Sequence, residues 1–151
     1  MIGPRSADLA RLSATVLADC AFLLTEPVEV DAALHDAVHA VVGFSGATRG
    51  HLMLSASPEL AVHIAADMLG IESGDADAAA HAAGALAELA NVLLGMLVVT
   101  LCDPETTFRF GTPHAYVGSP PEVPHGGAVA TLASDSGARI QVRWVMEGDA
   151  P

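Results

Sequence analysis

Glu88 and Asn91 stand three residues apart within "GALAELANVLLGML", residues 84–97, where almost every other side chain is apolar. Positions i and i+3 share one face of a helix, so the carboxylate and the amide point the same way. Together they present one acceptor and one neutral group that both donates and accepts. At 100° per residue, Asp77, His81, Gly84, Glu88, Asn91 and Gly95 fall within roughly an 80° arc, while Leu86, Leu89, Leu93, Leu94 and Leu97 occupy the other side and are expected to face a core. Glycines along the polar face leave backbone uncovered and let another protein's surface approach closely. The plainer alternative is the solvated polar stripe that most amphipathic helices carry.

Composition narrows what such a face can meet. Eighteen acidic residues against six arginines and no lysine give a formal charge of -12. A chain so acidic repels phosphate backbones, which argues against sequence-independent binding to nucleic acid. Cys20 and Cys102 are far apart in sequence, and neither belongs to a CxxC or a Cys/His cluster, so neither a disulfide framework nor a zinc site is supported. The start "MIGPRSADLARLS" lacks the basic stretch, apolar core and cleavage site of a secretory signal, which makes a cytoplasmic protein the expectation. Residues 82–101 are long and apolar enough to span a bilayer, but Glu88 and Asn91 sit at mid-depth and no basic cluster flanks them. A buried helix is the expected outcome, with no membrane partner.

The elements that would position this face can be read from pattern and punctuation. At 151 residues the chain is the size of one domain, residues 1–151, whose core rests on Ala, Leu, Val and Met because aromatics are only 4%. Residues 6–24 place Leu9, Leu12, Val16 and Leu23 on one stripe behind Ser6 as N-cap, which predicts a helix. Residues 37–55 hold two β-type runs divided by "SGA", with Val38, Ala40, Val42 and Phe44 alternating, which predicts a hairpin. In "SPELAVHIAADMLG", Ser57 caps, Pro58 takes the first helical position, Glu59 favours the positive end and Gly70 terminates.

An acidic linker, "ESGDADAAA", then leads into a long helix from about Asp77 to Cys102, ended by Pro104, which disfavours helix at Asp103. Beyond it come a short run "TFRFGTPHAYVG", the proline- and glycine-rich loop "SPPEVPHGG", and two runs, 128–134 and 138–146, divided by "DSG". Ile140, Val142, Trp144 and Met146 alternate, so these form an antiparallel hairpin. No internal repeat is evident. The order α, β-β, α, α, then strands gives an α+β, two-layer fold with long helices packed on a mainly antiparallel sheet. His35 and His39 in "HDAVH" have metal-compatible spacing on a helix but no third ligand nearby, so they read as surface histidines. Ser45 and Ser134 lack a nucleophile elbow, and no hydrolase triad is visible.

Extended beyond the helix, the pattern becomes more specific. Gly95 follows Asn91 by four residues, and Pro113 follows it with 21 between. The strings "ELANVLLG", "GFSGATRGHLML", "PELAVHIAADMLG" and "FGTPHAYVG" together resemble the CheX branch of the CheC/CheX/FliY chemotaxis phosphatases, from about residue 38 to the end. That family's pattern is Asp or Ser, three residues, Glu, two residues, Asn, twenty-one residues, Pro. Glu88, Asn91 and Pro113 meet it, and Gly84 falls on the first position and departs from it.

The resemblance implies a phosphatase acting on the aspartyl phosphate of a response-regulator receiver domain. It assigns Asn91 to orienting the attacking water, Glu88 to pairing with the receiver's lysine, Gly84 and Gly95 to the partner-contact face, and Pro113 to a structural position at a strand start. Phosphoryl transfer asks little covalent work of an enzyme, so placing a water in line is a large share of the catalysis. It further implies that the receiver supplies Mg²⁺, that this chain carries no cofactor or metal of its own, and that two copies pair as a homodimer. A CheX-like module that binds or dimerises without catalysis is the second expectation, motivated by Gly84.

Overall fold

A computed structural model describes residues 4–29, 34–102, 104–120 and 127–147. The middle of the proline-rich loop, residues 121–126, and Asp103 lie outside the described residues. Among the described residues, three helices and seven strands are formed: α1 (Ser6–Ala21), β1 (Thr25–Val28), β2 (Ala37–Gly46), β3 (Arg49–Ala56), α2 (Pro58–Leu69), α3 (Ala76–Leu101), β4 (Phe108–Phe110), β5 (His114–Gly118), β6 (Ala128–Ser134) and β7 (Arg139–Glu147).

Every strand pairing is antiparallel. The order across the sheet is β1-β6-β7-β3-β2-β4, with β5 also paired to β2. β4 and β5 are two pieces of one interrupted edge. Phe108–Phe110 pair with Phe44–Gly46 and His114–Gly118 with Ala37–Val41, while at the break the Gly111 N–H donates to the Gly43 carbonyl at 2.8 Å. Pro113, which has no N–H to give a ladder, stands in that break immediately before β5, a position that edge strands tolerate.

The topology contains a regularity that the sequence conceals. Helix, edge strand and hairpin occur in the order α1, β1, β2-β3 and again as α3, β4/β5, β6-β7, with α2 between the two units. Each edge strand pairs with the other unit's hairpin, β1 with β6 and β5 with β2, and β3 meets β7 at the centre. The helices α1 and α3 therefore hold comparable places on the sheet, yet α1 has no Glu-x-x-Asn.

One face of the sheet carries the core. Val38, Ala40, Val42 and Phe44 of β2, Leu52 and Leu54 of β3, and Ile140, Val142 and Trp144 of β7 pack with the leucines of α1 and α3 and with Leu60 and Ile64 of α2. Alternation along each strand puts these residues on a single side, which is how a period-two pattern becomes a packed layer. Phe44 stacks on Trp144 with ring centroids 4.6 Å apart and meets Phe108 edge-on at 6.0 Å.

The helix termini follow local chemistry, with small shifts from expectation in α1 and α3. α2 begins where its punctuation says: the Ser57 hydroxyl accepts from the Leu60 N–H at 3.2 Å, and Gly70 closes the helix in the left-handed region at φ +69°. α3 starts one residue early because Asp75 is its cap, accepting from the Asp77 N–H at 2.9 Å, and it ends at Leu101. In α1 the cap is Arg5, one residue before Ser6, and its N–H reaches the Asp8 carboxylate at 3.4 Å. The helix stops at Ala21, because Phe22 turns left-handed at φ +54°, so Leu23 is not a helical residue and Thr25–Val28 become a strand that the sequence pattern did not announce.

The candidate phosphatase face

α3 is 26 residues long, which corresponds to about 39 Å of helix. Its orientation is fixed by Leu86, Leu89, Leu93, Leu94 and Leu97, all buried against the sheet and the neighbouring helices. The same leucines make the helix apolar enough to cross a membrane, but here they are covered by protein. With that side anchored, Asp77, His81, Gly84, Glu88 and Asn91 are exposed, and Gly95 is half-buried.

Glu88 and Asn91 thus lie about one turn apart on an exposed surface, with their Cβ atoms roughly 5–6 Å apart by helix geometry. Among the described residues, neither side chain is held by a hydrogen bond or an ion pair. Neither lines any of three cavities formed by described residues, whose volumes are about 550, 530 and 330 Å³. A small molecule needs a concave site that surrounds it. A projecting carboxylate and amide instead suit a partner that brings the concavity itself.

Gly84 and Gly95 differ in surroundings. A Cβ built on Gly84 would meet nothing within 4 Å, so an aspartate or serine at the first motif position would fit without any shift. A Cβ on Gly95 would meet the Phe110 ring at 4.0 Å, which places the β4 edge beside the same helical face. Pro113 is half-buried immediately before β5.

The histidine reading needs correction. His39 is not on a helix and not on the surface: it belongs to β2, is fully buried, and packs its ring 5.2 Å from that of Tyr116. The Gly118 carbonyl lies 2.9 Å from Nε2 and can only accept, so Nε2 carries the proton and Nδ1 accepts from the Ser55 hydroxyl at 2.7 Å. Burial lowers the His39 pKa below the usual histidine value, outweighing the Gly118 bond that favours protonation. A serine hydroxyl on a histidine nitrogen has the composition of an activated nucleophile, but Ser55 is as buried as His39 and no substrate reaches it. His35 remains exposed. No group of three or more His, Cys, Asp or Glu among the described residues is placed to hold a metal ion.

A two-layer α+β module whose longest helix projects a Glu-x-x-Asn pair from an exposed face is thus the class that fold and geometry define. The chain belongs to the CheX family: the profile described as chemotaxis phosphatase CheX matches residues 21–135. Among solved structures, the chain is similar to the CheX-CheY-BeF3-Mg²⁺ complex from Borrelia burgdorferi at 19% identity and a TM-score of 0.74, covering 93% of this chain and 96% of that one. It is also similar to chemotaxis protein CheX from Desulfovibrio desulfuricans, at 20% identity and a TM-score of 0.71 over 92% and 96% of the two chains. The FliM middle domain of H. pylori matches more distantly, at 10% identity and a TM-score of 0.52 over 91% and 84%. Among curated proteins, none matches the sequence significantly.

Proposed function

We propose that this chain hydrolyses the aspartyl phosphate of a CheY-like response-regulator receiver domain, with Asn91 orienting the attacking water and Glu88 pairing with a lysine of the receiver. The observation that carries the reading is the exposure of both side chains on one helical face without partners of their own. CheX family membership supports the phosphatase class, and a similar structure that contains CheY supports the kind of partner. The division of labour follows from charge. An amide beside a phosphoryl group donates and accepts without adding a second negative charge, whereas a carboxylate there requires a cation to face it. Mg²⁺ belongs to the receiver in this reading, and the chain contributes no cofactor. Two copies pair through a sheet edge, where an unpaired strand would otherwise be an aggregation liability.

The second reading, a receiver-binding module without catalysis, is favoured by one observation: the first motif position is glycine although the space there is open to a side chain. A receiver phosphorylated by a small-molecule phosphodonor separates the two. Phosphate release that accelerates with this chain supports the phosphatase; binding with unchanged release supports the module. Light scattering at micromolar concentration tests the pairing, which a monomeric mass contradicts.

A further inference from the structure

We infer that Val92, Val99 and Phe110 form an apolar flank on which the phosphorylated receiver seats, so that docking affinity lies C-terminal to Asn91 while the chemistry lies in Glu88 and Asn91. The inference rests on the receiver reading above and adds to it how the partner is held and which way it faces.

Val92, Gly95 and Val99 continue the stripe of Glu88 and Asn91 toward the C-terminal end of α3. Val99 is 82% exposed, Val92 40% and Phe110 42%. Phe110 joins this surface because its ring lies beside Gly95. Toward the other end of the helix the same stripe is Gly84, His81 and Asp77, which are small or polar. The large apolar side chains exposed on α3, Val92 and Val99, therefore lie on one side of the Glu/Asn pair only.

Helix propensity does not account for the valines. Other exposed positions of α3, such as Ala76, Ala79 and Ala80, carry the best helix former, whereas valine is a poorer one because its branched side chain loses freedom against the preceding turn. Contact does account for them. A stable protein interface covers about 800 Å² on each partner, a disc of roughly 16 Å radius. Val99 is eight residues beyond Asn91, about 12 Å along the axis, so a footprint centred on Asn91 takes in Val92 and Val99, and Phe110 beside Gly95. An apolar rim beside the pair adds affinity for a partner that covers both. The occupant that this geometry fits is the receiver itself, because the flank adjoins the Glu/Asn pair on the same helix.

The test is the double variant Val92→Ala/Val99→Ala, which shortens two side chains and favours the helix. Leu24→Ala serves as control, being 70% exposed beside β1 at the opposite edge of the sheet. Phosphate release is measured against receiver concentration, and binding is measured with receiver carrying beryllofluoride. The expected result is a half-saturating concentration about tenfold higher at an unchanged maximal rate, with weaker binding of the beryllofluoride receiver and a control that matches wild type. Unchanged half-saturation, or a lower maximal rate at unchanged half-saturation, overturns the proposal. So does a variant that loses only its self-association, since the flank then meets a second copy. If the wild type binds receiver without accelerating phosphate release and the double variant binds about tenfold more weakly, the flank stands and the phosphatase reading falls. If the wild type does not bind receiver at all, both fall.

Discussion

Two substitutions on α3, one at an exposed and one at a buried position, should move stability in opposite directions. Asn91 is exposed and bonded to no neighbour, so Asn91→Ala removes no native interaction and replaces a weak helix former with the best one. The expected gain is about 0.6 kcal/mol. For a domain of this size 1 kcal/mol shifts the melting temperature by about 2–4 °C, which puts the variant about 2 °C above wild type. Leu94, a few residues away, is fully buried in the core. Leu94→Ala removes three carbons and leaves a cavity, costing about 2–5 kcal/mol, or roughly a 10 °C drop. Thermal unfolding followed by far-ultraviolet circular dichroism reads both. A buried amide with satisfied bonds would instead lose about 1–3 kcal/mol on truncation. A clear fall in melting temperature for Asn91→Ala would refute the argument that this side chain is free for a partner.

Glu88→Ala should weaken receiver binding and rate together, and added salt should shift the wild type the same way, because the proposed pair with a lysine is screened at the rim of an interface; salt-independent binding would contradict the pairing. Gly84→Ser should stabilise the chain by a few tenths of a kcal/mol, since serine outranks glycine in a helix and the space is open; receiver assays on the same variant show whether a hydroxyl there raises phosphate release. His39 is held neutral by burial, so its folded pKa lies below its unfolded one and its contribution is complete above about pH 6.5 and lost as pH falls below that. Denaturant unfolding from pH 8 to 5 should show a slope of at most about 1.4 kcal/mol per pH unit from this group that is missing in His39→Gln, and identical profiles would contradict the assignment. Gly50→Ala should destabilise by about 3 kcal/mol or more, because the added Cβ would fall 2.2 Å from the Val145 carbonyl oxygen at the centre of the sheet.

What the sequence made legible was local. The second helix could be bounded to the residue because Ser57, Pro58 and Gly70 each act within one turn, and the two hairpins followed from alternation with a short turn between runs. The Glu/Asn face was readable because three residues of helix are enough to place both side chains, and its exposure followed from the leucines opposite. What failed depended on distant contacts. β1 is four residues, "TEPV", with a proline and no apolar alternation, and it is a strand only because β6 lies beside it more than a hundred residues later. His39 looked like a surface residue because the groups that satisfy it, Ser55 and the Gly118 carbonyl, are 16 and 79 residues away. The repeated order of helix, edge strand and hairpin is a property of topology, and the two helices share no motif by which a sequence comparison within the chain could find it. Function came from the family pattern, since an exposed carboxylate and amide do not by themselves name a phosphoryl group.

The most direct test of the central claim is the decay of a cognate phosphorylated receiver at saturating concentration, with wild-type chain and with Asn91→Ala. If Asn91 positions the attacking water, the variant should lose about 10²-fold or more of the acceleration, equivalent to about 2.7 kcal/mol of transition-state stabilisation, while still binding the receiver. A variant that matches the wild type in rate would remove Asn91 from the chemistry.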